Sequence, residues 1–130
     1  MNKPFSLSKN ERLKSKKNID TLFLHGKAFF VFPYSVKYLI FDELMNPEEA
    51  LKLVASVPKR KFKRANKRNT IRRRLKESYR INKVELKQLL MDKNKSMHLL
   101  ITYNANEELP YQEMNENMKK VLLTLGEKII

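Results

Sequence analysis

From Lys59 to Lys83 the sequence reads KRKFKRANKRNTIRRRLKESYRINK, thirteen lysines and arginines with a single acid, Glu77, so this stretch carries +12 of the chain's formal net charge of +14. The chemistry open to such residues is the neutralisation of charge, not the making of bonds. Ammonium and guanidinium groups at this density repel one another until a polyanion screens them, and the phosphate backbone of a nucleic acid is the commonest such partner. On a helix of 3.6 residues per turn, Asn69, Arg72, Arg73, Lys76 and Arg80 share one face, with cations stacked at i, i+3, i+4 and i+7 spacing. Solvated helix faces ordinarily mix charge signs. This one does not, which favours contact with nucleic acid over plain solvation.

Bond-making chemistry finds no comparable support. The chain has no cysteine, which removes disulfides and Cys-based metal sites, and only two glycines, too few for a phosphate-cradling loop. His25 stands at an expected helix end and His98 inside an apolar run, each without a partner motif, so both read as structural. Glu48 and Glu49 are adjacent carboxylates in a polar connection, read as solvation; with Glu107 and Glu108 they are all that a protein-only nuclease could use for metal. No catalytic residue and no metal ligand is assigned, and the protein alone is expected to bind no cofactor.

The elements that must position the basic face follow from periodicity. Ile71, Leu75, Ser78, Tyr79 and Leu86 form the core-facing stripe of the basic helix, which is expected to run to about Leu90. Upstream, Ser15 suits the N-cap of a short helix ending near His25, with Ile19, Leu22 and Phe23 at i, i+3, i+4 and Gly26 as its stop. Ala28 to Phe32 is β-prone. After Pro33, Tyr34, Val36, Tyr38 and Ile40 alternate with Ser35 and Lys37 as in a half-buried strand, leaving Lys37 to solvent or to a polyanion. Asp42 to Glu49 suits a hairpin connection into a second long strand, Leu51 to Val57. Asp92 to Lys95 is a break, Met97 to Tyr103 a buried strand, and Asn104 to Leu109 a loop. Pro110 then opens a final helix with Met114, Met118, Val121, Leu122 and Leu125 as its core stripe. Residues 1–10 lack periodicity and are expected to be a flexible tail; 11–130 form one domain. The fold class is α+β, a small mostly antiparallel sheet of about four strands with three helices in the order αβββαβα.

Arg68, Asn69, Ile71, Arg72, Arg73 and Lys76, preceded by Pro58, Lys59, Arg60, Lys61 and Phe62, resemble the signature of the bacterial ribonuclease P protein component, whose helix opens on an Arg-Asn-Arg motif. Thr70 stands where the motif's second Arg is usual, with Lys67 and Arg74 the neighbouring cations. Arg12, Leu13, Lys14, Phe23 and Gly26 are similar to the family's first helix and its exit, which extends the likeness over most of residues 11 to 126. The resemblance implies a left-handed βαβ crossover, against the general preference. It implies that Lys59, Arg60, Lys61, Lys63, Arg64, Lys67, Arg68, Asn69, Arg72, Arg73, Lys76 and Arg80 contact RNA. It also implies that Arg12, Lys14, Ile19, Phe23 and Lys37 line a cleft for the single-stranded 5′ leader of precursor tRNA. On spacing alone Phe23 is equally a core residue.

By the same likeness the partners are ribonuclease P RNA and precursor tRNA. The RNA carries the catalysis of leader removal and binds the Mg²⁺, so the protein is part of an endoribonuclease without being its catalyst. A structural RNA-binding protein of the small ribosomal kind shares the charge but needs no exposed aromatic beside it. A sequence-specific DNA-binding helix would offer side chains to base edges and a dimerisation segment, neither of which is evident. No DNA partner is expected. No apolar run approaches the ~18 residues of a membrane span, and the N-terminus has no signal-type apolar region, so a soluble cytoplasmic protein is expected.

Overall fold

The structure, a computed structural model, describes residues 9–129. Most of the expected N-terminal tail lies outside them; its last two residues, Lys9 and Asn10, open a 3₁₀ turn, Lys9–Glu11. The elements that follow are α1 (Lys16–His25), β1 (Lys27–Val31), β2 (Tyr34–Phe41), β3 (Leu51–Ser56), α2 (Ala65–Asn82), α3 (Val84–Asp92), β4 (Ser96–Tyr103) and α4 (Tyr111–Ile129). A second 3₁₀ turn, Pro47–Glu49, precedes β3.

The α+β class holds, with four helices where three were expected. The basic helix stops at Asn82, and a single residue, Lys83, still with helical torsions (−77°, −17°), separates it from α3. Side-chain anchoring accounts for the break. Lys83 is buried against Glu11, and the Asn82 amide donates to Ser78 O and to Asn115 Oδ1 of α4. Beyond it, α3 buries Leu86 and Leu90.

The sheet order is β1-β2-β4-β3. β1 and β2 form the hairpin, turning through Phe32 and a cis Pro33; β2 and β4 are antiparallel, and β3 and β4 are parallel. The expected hairpin between the two long strands is therefore wrong. β4 inserts between them, and the polar stretch from Asp42 carries the chain across β4 to the far side of the sheet.

Alternation then sorts the side chains. Tyr34, Val36 and Tyr38 stand beside Tyr103, Ile101 and Leu99, with Leu51 and Leu53 beyond, and this face is buried together with Ile71, Leu75 and Tyr79 of α2 and the α4 stripe Met114, Met118, Val121, Leu122, Leu125. Tyr34 Oη donates to Met114 O at 3.0 Å, satisfying the one polar tip that its buried ring carries inward. Pro110 stands just ahead of α4, its carbonyl accepting from Met114 N.

The opposite face carries Ser35, Lys37 and Leu39 with Thr102, Leu100 and His98, and α1 lies across it by way of Leu22, which is fully buried. Ser15 caps α1 by accepting from Asn18 N at 3.3 Å. Gly26 ends the helix in extended backbone (φ −69°), and a Cβ there would meet Leu22 O at 2.4 Å, so glycine is required by space. A strap, Arg12–Leu13, covers the outer edge of β3: Leu13 N donates to Leu53 O at 2.9 Å and Arg12 bridges Leu53 in parallel register. Covering an edge in this way removes unpaired strand backbone from solvent.

Candidate nucleic-acid interface

α2 buries Ile71, Leu75, Ser78 and Tyr79, as its apolar spacing requires, and turns Asn69, Arg72, Arg73, Lys76 and Arg80 outward, where with Glu77 they line one shallow groove. Glu77 is held by Arg80, whose Nε and Nη2 donate to its two carboxylate oxygens at 3.0 and 2.6 Å, and this pairing keeps the Glu77 carboxyl below its ordinary range. Arg72 Nη1 donates to Asn69 Oδ1 at 3.0 Å. Burial, and then the Arg12 and Arg72 charges, push the Lys76 ammonium below its usual pKa. A cation already disfavoured by its neighbours gains more from a phosphate than an isolated lysine does.

Arg12, which the resemblance nominated for the cleft, lies on the strap along the outer edge of β3 and is not among the residues that line that cleft. Its charge is felt at Lys76. Its neighbour Lys14 is exposed.

The other cations of the basic segment divide by what they touch. Arg68 Nη1 donates to Phe62 O and Lys63 O, both at 2.8 Å, so its guanidinium ties the loop 58–64 to the first turn of α2. Arg74 pairs with Glu108 at 2.9 Å and Lys67 approaches the same carboxylate at 3.6 Å, which turns both toward the loop before α4. The Thr70 hydroxyl donates to Asn66 O. Lys59, Arg60, Lys63 and Arg64 are exposed on the loop and at the helix start, and Lys61 Nζ donates to Asn104 Oδ1.

On the sheet face opposite the core lies a cleft. Its floor is two cross-strand rows, Ala28–Lys37–Leu100 and Phe30–Ser35–Thr102; Phe23 of α1 forms one wall and Pro58 and Arg60 of the loop another. Phe23 is 60% exposed, which removes it from the core. Lys37 Nζ donates to Phe23 O at 2.7 Å and sits over the ring, 4.1 Å from its centroid, a cation–π contact that orients the phenyl group and leaves its other face to solvent. Of the five residues that the resemblance placed in this cleft, Phe23 and Lys37 come together. Ile19 is half-buried one turn earlier and does not line the cleft. Phe30, Ser35, Thr102 and Asn104 do line it, and the period-two alternation that put Ser35 and Lys37 on one face was the signal for them.

Arg60 lines the cleft and sits on the loop that Arg68 fastens to the first turn of α2. Among the described residues no group of three or more His, Asp or Glu converges, and no helix is long and apolar enough to cross a membrane. Such anatomy defines a class, the small basic α+β proteins that present one cationic helix face and one aromatic cleft joined by a basic loop.

Comparison with known proteins narrows the class to a family. The family model described as Ribonuclease P matches residues 7–126. Ribonuclease P protein components from two strains of Porphyromonas gingivalis are each 35% identical over 124 residues, covering 94% of this chain and 88% of theirs. The chain belongs to the ribonuclease P protein family, and with it to a tRNA-processing ribonucleoprotein endoribonuclease.

Proposed function

We propose that this chain seats on the ribonuclease P RNA through the outward face of α2 and the loop 58–64, and holds the 5′ leader of precursor tRNA in the cleft between α1 and that loop. The observation that carries the reading is the cleft itself, where Lys37 sits over the exposed Phe23 ring and Arg60 lines the same hollow, on a chain whose α2 also turns Arg72, Arg73 and Lys76 outward. A phosphate-binding face alone would serve any structured RNA. A solvent-exposed ring beside a cation suits an unpaired strand, whose bases offer π-faces for stacking and whose phosphates offer charge.

In this reading the chain supplies affinity and charge neutralisation and the RNA supplies the cleavage. Among the described residues none suits a Mg²⁺ site: Glu48 accepts from Asn10, Glu49 pairs with Lys52, and no further carboxylate converges on either. Hard divalent cations require several convergent oxygens, so the ion is assigned to the RNA. The test is binding of leader-bearing and leaderless precursor tRNA by the chain assembled with ribonuclease P RNA. The leader should add affinity only when the protein is present; an equal gain with RNA alone would overturn the cleft's role.

A further inference from the structure

The β1–β2 hairpin holds two large rings in water. Phe30 is 54% and Phe32 50% exposed, and their centroids lie 6.4 Å apart in an edge-on arrangement. Neither ring is needed for packing, because the alternate positions Phe29 and Val31 supply the strand's contacts with the core. Phe30 pairs in register with Ser35, so it stands on the same sheet face as Lys37, one strand repeat or about 6.6 Å farther along. It lines the same cleft as Phe23.

We infer that Phe30, braced edge-on by Phe32, is a second stacking platform, so that an unpaired strand resting on Phe23 continues along the sheet face to the hairpin. The inference rests on the leader-binding reading of the cleft and extends it to a subsite at its far end. Lys37 stands between the two rings and Arg60 on the opposite wall, which sets cations where the phosphates of a strand spanning both rings would pass. The polar groups at the Phe30 end are the hydroxyls of Ser35 and Thr102, each able to donate or accept. Such groups do not select one base over another. Stacking is equally permissive, and the platform is one for any leader sequence.

The test uses the chain assembled with ribonuclease P RNA and a series of precursor tRNAs with leaders from none to about ten nucleotides, within the span such clefts accommodate. Phe30→Ala should weaken binding only where a leader is present, by roughly five- to 150-fold on the longest leaders, and Phe30→Tyr should restore it. Its loss should set in at a leader length different from that for Phe23→Ala. If Phe30→Ala is neutral at every length while Phe23→Ala remains leader-dependent, the platform is overturned and the cleft stands. If neither variant depends on the leader, both readings fall. An equal loss on leaderless tRNA also overturns the platform, and an unchanged melting temperature for Phe30→Ala establishes that folding is not the cause of any loss.

Discussion

Lys83 donates its ammonium to the Glu11 carboxylate across 72 residues of sequence, and both side chains are buried. Lys87 approaches the same carboxylate at 3.8 Å. Burial lowers the Lys83 pKa and the Glu11 charge opposes that effect, so the pair is held together by the cost of separating it. One end fixes the strap that carries Arg12; the other fixes the joint between α2 and α3.

Removing one partner takes the opposite charge away from a buried group. Glu11→Ala should cost about 3–5 kcal/mol in urea unfolding, and Glu11→Leu combined with Lys83→Met should recover most of it, because apolar replacement of both partners removes the desolvation penalty. A single-variant cost below about 1 kcal/mol would show that the pair is not a keystone.

Arg72 and Arg73 point outward and hold no carbonyl of the fold. Alanine at either should leave stability unchanged and reduce the slope of log K against log salt by roughly 0.7 to 0.9 per lost phosphate contact. Arg68→Ala should behave differently, since it also frees the Phe62 and Lys63 carbonyls, with a stability loss of about 1–3 kcal/mol. Identical salt slopes for wild type and for Arg72→Ala with Arg73→Ala would remove this face from the RNA interface.

Because Phe23 is exposed, Phe23→Ala should change stability by no more than about 0.5 kcal/mol, as surface substitutions do, where a core phenylalanine would cost about 3–5. Its effect should appear on leader-bearing precursor tRNA, as a loss of about 1–3 kcal/mol in binding. A thermal scan together with binding to leader-bearing and mature tRNA separates the two, and a large drop in melting temperature would return Phe23 to the core.

His98 is half-buried, in ring contact with Phe41 at 4.8 Å, and burial followed by the Lys52 charge holds its pKa below the ordinary histidine value. The unfolded chain then takes up a proton there before the folded one does. The resulting stability is complete above the unfolded value of about 6.5 and is lost as pH falls below it. Wild type should therefore lose more stability than His98→Gln between neutral pH and about pH 5, and parallel pH curves for the two would exclude the effect.

The local period of the sequence carried much of this. The Ile71, Leu75, Tyr79 stripe placed Arg72, Arg73 and Lys76 outward, Ser15 marked the start of α1, and the alternation from Tyr34 separated core residues from Lys37. What was not legible lies in long-range pairing. Nothing near Asp42 signals that β4 will enter between β2 and β3, because a strand's neighbours are chosen by hydrophobic faces distant in sequence. The break at Lys83 depends on Glu11, and the displacement of Arg12 from the cleft depends on a strap bonded to Leu53. Arg68 and Arg74 look like free cations in a basic run. Only tertiary structure shows that one holds two carbonyls and the other Glu108.

The bonds from Arg68 to the Phe62 and Lys63 carbonyls bear on the entropy of association. A free basic loop would have to be ordered by its ligand, at about 1–2 kcal/mol for each residue immobilised. Here that ordering is done during folding, so Lys63 and Arg64 stand already arrayed, and on the proposed interface their attraction for RNA would go into affinity instead of loop closure.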